Sequence, residues 1–164
     1  MDFVSIIMGS KSDYSIMKSA SETLEKFGVK YEMVISSAHR SPERTKNYIK
    51  SAEEKGAKVF IAAAGMAAHL AGAVAATTTR PVIGVPLDAS SLQGKDALLS
   101  TVQMPGGMPV ATVAIGKAGA KNSAYLAMQI LALNDKELAE KLKEDRVLQS
   151  KKVEEDSKEI EVIL

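Results

Sequence analysis

The chain has only two histidines, His39 and His69, and each stands among residues suited to chemistry. His39 lies in ISSAHRSPER, residues 35–44, between Ala38 and Arg40. His69 lies in GMAAHLAG, residues 65–72. An imidazole gives or takes a proton near neutral pH, and a guanidinium such as that of Arg40 grips a phosphate or carboxylate with a planar fork. The plainer alternatives are a structural turn histidine beside a solvated arginine, and a core histidine bonded to backbone. No HxH, HxxxH or HExxH spacing occurs and no third ligand is evident, so the histidine spacing offers little to a metal.

A third candidate is GSKSD, residues 9–13, just before a helical pattern. Free N–H groups and the dipole at a helix start suit a phosphate, and Ser10 and Ser12 add hydroxyls. Simple capping by Ser12 or Asp13 explains the same residues. The motif is neither a Walker loop nor GxGxxG, so ATP and NAD are not implied.

These segments need elements to position them. Phe3–Met8 and Tyr31–Ile35 read as strands, as do 58–64, 81–86 and 110–115. Ile16, Met17, Ala20, Leu24 and Phe27 recur at helical spacing, and Pro42 opens a second helix whose buried face is Tyr48, Ile49 and Ala52. Further helices are expected over 67–77, 95–102, 118–133 and 135–157, the last with a thin stripe of Leu138, Leu142 and Leu148. Strand–helix alternation with apolar strands predicts a three-layer αβα sandwich on a five-stranded parallel sheet. Residues 1–134 read as one catalytic α/β domain, and 135–164 as a helical extension that contributes to oligomer contacts. In such folds ligands bind beyond the carboxyl ends of the strands. GSKSD, SAHR, GMAAH and PLDASSLQG all follow strands, so both histidines are expected at one sheet edge.

Composition narrows the function. A net charge of +1 and 4% aromatics offer little to a nucleic acid or an acidic membrane. The absence of Cys excludes disulfides and thiolate catalysis and suits a reducing, cytoplasmic setting. The N-terminus, with Asp2 and no basic leader, does not read as a signal peptide. Residues 59–79 carry no Asp, Glu, Lys or Arg and are long enough to span a membrane, but their glycines, alanines and central His fit a buried strand and helix better.

The blocks MGSKSD, SAHRSP, AAHLAG, GVP and VQMPGGMPVATVAIG, in this order, resemble class I N5-carboxyaminoimidazole ribonucleotide mutase, an enzyme of purine synthesis. The resemblance implies a flavodoxin-like fold, an octamer, and transfer of a carboxylate from an exocyclic nitrogen to ring carbon C4 without metal, ATP or biotin. It implies substrate binding by Ser10, Asp13 and Arg40, with Ser12, Ser37, Ala38, Gly65, Ala68 and Leu70 lining the substrate. His39 would be the catalytic histidine and His69 a second active-site histidine. The partner is then a small ribonucleotide, with no nucleic acid and no membrane. Two positions depart from the family pattern GGAAHLPG: Met66 stands for the second Gly and Ala71 for Pro. Related class II enzymes carboxylate the ring with CO2 and resemble a pattern with Lys at the place of Arg40. They, and a non-catalytic nucleotide-binding module, are the rival readings.

Overall fold

A computed structural model describes residues 2–163. The strands are β1 (Phe3–Met8), β2 (Tyr31–Ile35), β3 (Ala57–Gly65), β4 (Val82–Leu87) and β5 (Ala111–Thr112). The helices are α1 (Tyr14–Lys26), α2 (Pro42–Lys55), α3 (Leu70–Ala75), α4 (Lys95–Val102), α5 (Lys117–Leu131) and α6 (Lys136–Ile160). All strand pairs are parallel and the order is β2-β1-β3-β4-β5. This is the flavodoxin-like arrangement, in which β1 and β3 flank the point where the winding reverses.

Alternation along each strand divides the core into two layers. Val4, Ile6 and Met8 join Val59, Ile61 and Ala63 on one face, against Met17, Ala20 and Leu24 of α1 and Ala120, Ala124 and Met128 of α5. Phe3, Ile7, Phe60 and Ala62 point to the other face, against Ile49 and Ala52 of α2 and Leu70 and Val74 of α3. Because helices cover both faces, the central strands are largely apolar rather than alternating, with Ser5 and Lys58 as the polar residues of β1 and β3. The uncharged stretch 59–79 is therefore β3, a loop and α3, and among the described residues no helix is long and apolar enough to cross a membrane.

Three elements differ from the sequence expectation. A short 3₁₀ turn, Lys11–Asp13, precedes α1. The third helix begins at Leu70 rather than residue 67, because Met66 takes φ +56° and Ala68 N–H closes a turn on the Met66 carbonyl at 2.9 Å. The fifth strand keeps only Ala111–Thr112 of the expected 110–115. Pro86 accounts for this. Its carbonyl accepts from Gly116 N–H at 2.9 Å, so that edge of residue 86 faces β5, and a proline has no N–H to return.

The final helix docks through its first half. Leu138 is buried and Leu142 packs against the core, whereas Leu148 is 61% exposed. Asp145 is buried and accepts from Lys26 of α1 at 2.5 Å, Tyr125 of α5 at 2.7 Å and Gln149 one turn on. Burial pushes its carboxyl up, but these three donors together hold it below the usual aspartate value. The sign follows: the contact's contribution is complete above pH 3.8, the unfolded value, and is lost as pH falls through the lower folded value. We predict that Asp145→Ala lowers stability at neutral pH by about 1–3 kcal/mol. The difference from the parent should close in acid denaturation only below the folded value, and a deficit that persists there would contradict this account.

Candidate active site

The carboxyl ends of β1, β2 and β3, with the loop after β4, surround a cavity of about 580 Å³. It is lined by Ser10, Ser12, Asp13, Ser37, Ala38, His39, Arg40, Gly65, Ala68, His69 and Leu70, which are all of the residues singled out in the sequence. It is also lined by Gly9, Ala64, Met66, Ala67 and Ala89.

The β1 and β2 loops make a polar wall. Ser10 caps the 3₁₀ turn: its Oγ accepts from Ser12 N–H at 3.4 Å and Ser12 Oγ–H at 3.1 Å, and its own N–H donates to Asp13 Oδ2 at 2.9 Å. Capping and site are thus the same residues. Asp13 is buried beneath the turn. Burial pushes its carboxyl above the ordinary aspartate value, against the lowering by the Ser10 N–H, the Arg40 charge and the Gly9 N–H. A carboxylate that its surroundings solvate incompletely gains from any donor a ligand supplies, such as a sugar hydroxyl.

Arg40 is oriented by its own loop. Its backbone N–H donates to Ser37 Oγ at 3.1 Å and its Nη2 donates to the Gly9 carbonyl at 3.1 Å. The guanidinium thus lies across from β2 to β1. Among the described residues it forms no ion pair, so its charge is open to an anion. Ser41 holds the same turn closed: its Oγ accepts from Ser37 N–H at 3.2 Å and donates to the Ser37 carbonyl at 3.1 Å.

The β3 and β4 loops make an apolar wall of Ala64, Gly65, Met66, Ala67, Ala68 and Ala89. His39 and His69 face each other where the two walls meet. Their rings are parallel within 7°, with centroids 5.5 Å apart. Both are exposed to the cavity, and among the described residues neither ring bonds to a protein partner. The core-histidine alternative for His69 therefore fails. Among the described residues no three His, Asp or Glu side chains gather as a metal site.

Gly65 shows how tightly this wall is built. A Cβ on Gly65 would lie 2.5 Å from the Ala89 Cβ, so the β4 loop closes onto the end of β3 only because residue 65 has no side chain. Over Gly72, a Cβ would lie 3.5 Å from Met104 Sδ and 3.9 Å from His69 Nδ1, which places the loop after α4 beside the histidine. Met66 carries the positive φ noted above, although it is not glycine. That conformation costs an L-residue roughly 1–2 kcal/mol.

The family model for AIR carboxylase matches residues 3–152. The chain belongs to the AIR carboxylase family. An N5-carboxyaminoimidazole ribonucleotide mutase of Pyrococcus horikoshii is 54% identical over 158 residues, covering 96% of this chain and 88% of that protein. The mutase of Escherichia coli K12 is 51% identical over 150 residues, covering 92% and 89%. The crystal structure of Treponema denticola PurE superposes with a TM-score of 0.88 at 30% identity, covering 99% of this chain and 100% of that one.

Gly9, Ala64, Met66, Ala67 and Ala89 line the cavity beyond the residues that the sequence assigns to the site, and Met104 stands over Gly72. An alanine carries no chemical signal, and the only hint was its place after a strand. Met104 stands in a Pro- and Gly-rich loop that reads fully as a turn. Met66 departs from the family pattern in the sequence, but its left-handed backbone and its place in the lining are visible only in the structure.

Proposed function

We propose that this chain is an N5-carboxyaminoimidazole ribonucleotide mutase, an isomerase that moves the carboxylate from the exocyclic nitrogen to C4 of the imidazole. The observation that carries the reading is the His39–His69 pair at the seam of a polar and an apolar wall, in a chain more than half identical to proteins of that name.

The walls suit the two parts of such a substrate. The polar wall offers hydroxyls, N–H groups and the Arg40 guanidinium to the anionic ribonucleotide, and Asp13 to its sugar hydroxyls. The apolar wall offers no array of donors, so it suits neutral CO2 better than bicarbonate. The reaction then follows in two steps. The N–C bond of the carbamate breaks, its electron pair stays on nitrogen, and nitrogen takes a proton as CO2 leaves. C4 of the electron-rich ring next attacks CO2. The new C–C bond leaves a hydrogen on tetrahedral C4, and its loss as a proton restores the aromatic ring. One proton enters and one leaves, so a single imidazole that first gives and then takes it balances the cycle. We assign that carrier to His39, because Arg40 on the same rigid turn anchors the substrate beside it. His69 then orients the carboxylate and the released CO2.

We further propose a homo-octamer in the cytoplasm. Exposed Leu92, Leu99 and Val102 leave apolar surface around α4, and the absence of Cys suits a reducing compartment. The number eight rests on the family resemblance alone. Light scattering on the purified chain should give a mass near eight subunits, and a monomer at micromolar concentration would remove this part of the reading.

Turnover of the N5-carboxylated substrate, without ATP or added bicarbonate, tests the activity itself. In that assay His39→Asn should lose at least ~10²-fold in turnover while substrate still binds, because acid–base catalysis contributes typically ~10²–10⁴-fold. Arg40→Ala should instead weaken binding, by roughly 1.5–3 kcal/mol for a lost charge-assisted contact. A His39→Asn variant with more than about a tenth of parental turnover would take the proton-carrying role from His39.

A further inference from the structure

The cavity contains one feature that proton transfer and substrate anchoring leave unexplained. Met66 and Gln93 are the only non-glycine residues with positive φ among those described, and of the two only Met66 lines the cavity. Its side chain is 59% exposed, so packing in the folded chain offsets little of the backbone cost. A strained residue that the fold does not repay is most often kept for the site it serves.

Its surroundings say what that service is. The other residues of the apolar wall, apart from buried Leu70, are Ala64, Gly65, Ala67, Ala68 and Ala89. Small side chains leave room for a one-carbon molecule and also leave it a way out. Methionine is unbranched, with three rotatable bonds and a polarizable thioether, so it can fill an irregular gap against a small neutral molecule. The left-handed backbone at residue 66 puts this side chain on the lining, between the Gly65 contact with Ala89 and the His69 loop.

We propose that Met66 is a positioning residue that retains CO2 between its release from nitrogen and its capture by C4. The proposal rests on the mutase reading. Met66 makes and breaks no bond: the electron pair goes to nitrogen, the proton travels with His39, and the thioether closes the apolar wall over the free CO2. Released CO2 has two fates, attack by C4 or escape and hydration to bicarbonate in solvent. Met66 sets the ratio between them.

The test supplies substrate labelled with ¹³C in its carboxylate, in unlabelled bicarbonate, and reads the label in the product by mass spectrometry. The parent chain and Met66→Leu, which keeps apolar bulk, should retain most of the label. Met66→Ala removes the thioether but keeps the strain of a positive φ, and Met66→Gly removes both the thioether and the strain. Both variants should lose at least about threefold more label than the parent, with a smaller change in kcat, because water exclusion and not proton transfer is impaired. Met66→Gly relieves the backbone strain, so its thermal midpoint should be no lower than the parent's, and folding does not confound the result.

Full retention by the Gly and Ala variants would overturn the proposal. So would leakage from Met66→Gly alone, which would assign the effect to the backbone, and leakage from Met66→Leu equal to that of Met66→Ala. A parent chain that isomerises the substrate but retains no label would overturn both the proposal and the released-and-recaptured route. A parent that does not isomerise it would overturn the mutase reading itself.

Discussion

The site depends on bringing two imidazoles to 5.5 Å from strands that do not touch. His39 follows β2 and His69 follows β3, and both strands pair with β1 and not with each other. Neighbouring strands lie about 4.8 Å apart, so the two carriers stand roughly 10 Å apart at the sheet edge. The rings meet only by leaning over the end of β1. That requires β1 to end in small residues and turn away at once. Gly9 and Ser10 do so, with Ser10 as the cap and Asp13 buried beneath. The reversal of winding at β1 and β3 keeps this edge clear of crossover helices. The parallel sheet, its small-residue exit and the paired histidines are one design.

Much of this was legible in the sequence. Largely apolar runs marked β1, β3 and β4, because strands covered on both faces need little polar alternation. The rule that ligands sit beyond strand carboxyl ends then gathers Ser10, Asp13, His39, Arg40 and His69, since each lies in a loop or turn that follows a strand. The sequence was silent where the deciding fact was tertiary. Val110–Ile115 looks like a full strand, but its partner has Pro86 facing it and the ladder stops. Ala67–His69 looks helical by composition, yet Met66 turns the chain first. Ala89 acts through its distance from Gly65, which no local pattern encodes.

Around the cavity, several groups sit in states that folding alone would not favour. Asp13 is buried with its carboxyl held above the usual range, Arg40 has its charge open, and Met66 has a strained backbone. The stability that tolerates them comes from elsewhere. Ile6, Ile7, Phe60 and Ile61 are fully buried at the centre of the sheet, and α6 is fastened through Asp145 to both α1 and α5. Concentrating polar strain at one edge and apolar packing at the centre is the usual division in a binding scaffold.

The central claim is that one imidazole serves both the departing nitrogen and C4. It is tested most directly by the crystal structure of the His39→Asn protein with the N5-carboxylated ribonucleotide bound and unreacted. The account predicts that the residue 39 side chain lies within about 3.5 Å, or one bridging water, of both the exocyclic nitrogen and C4. It also predicts the carboxylate on the Ala67–His69 side and the anionic ribonucleotide group near Arg40. A complex in which residue 39 reaches only one of the two atoms, while another titratable group stands at the other, would contradict the single-carrier account.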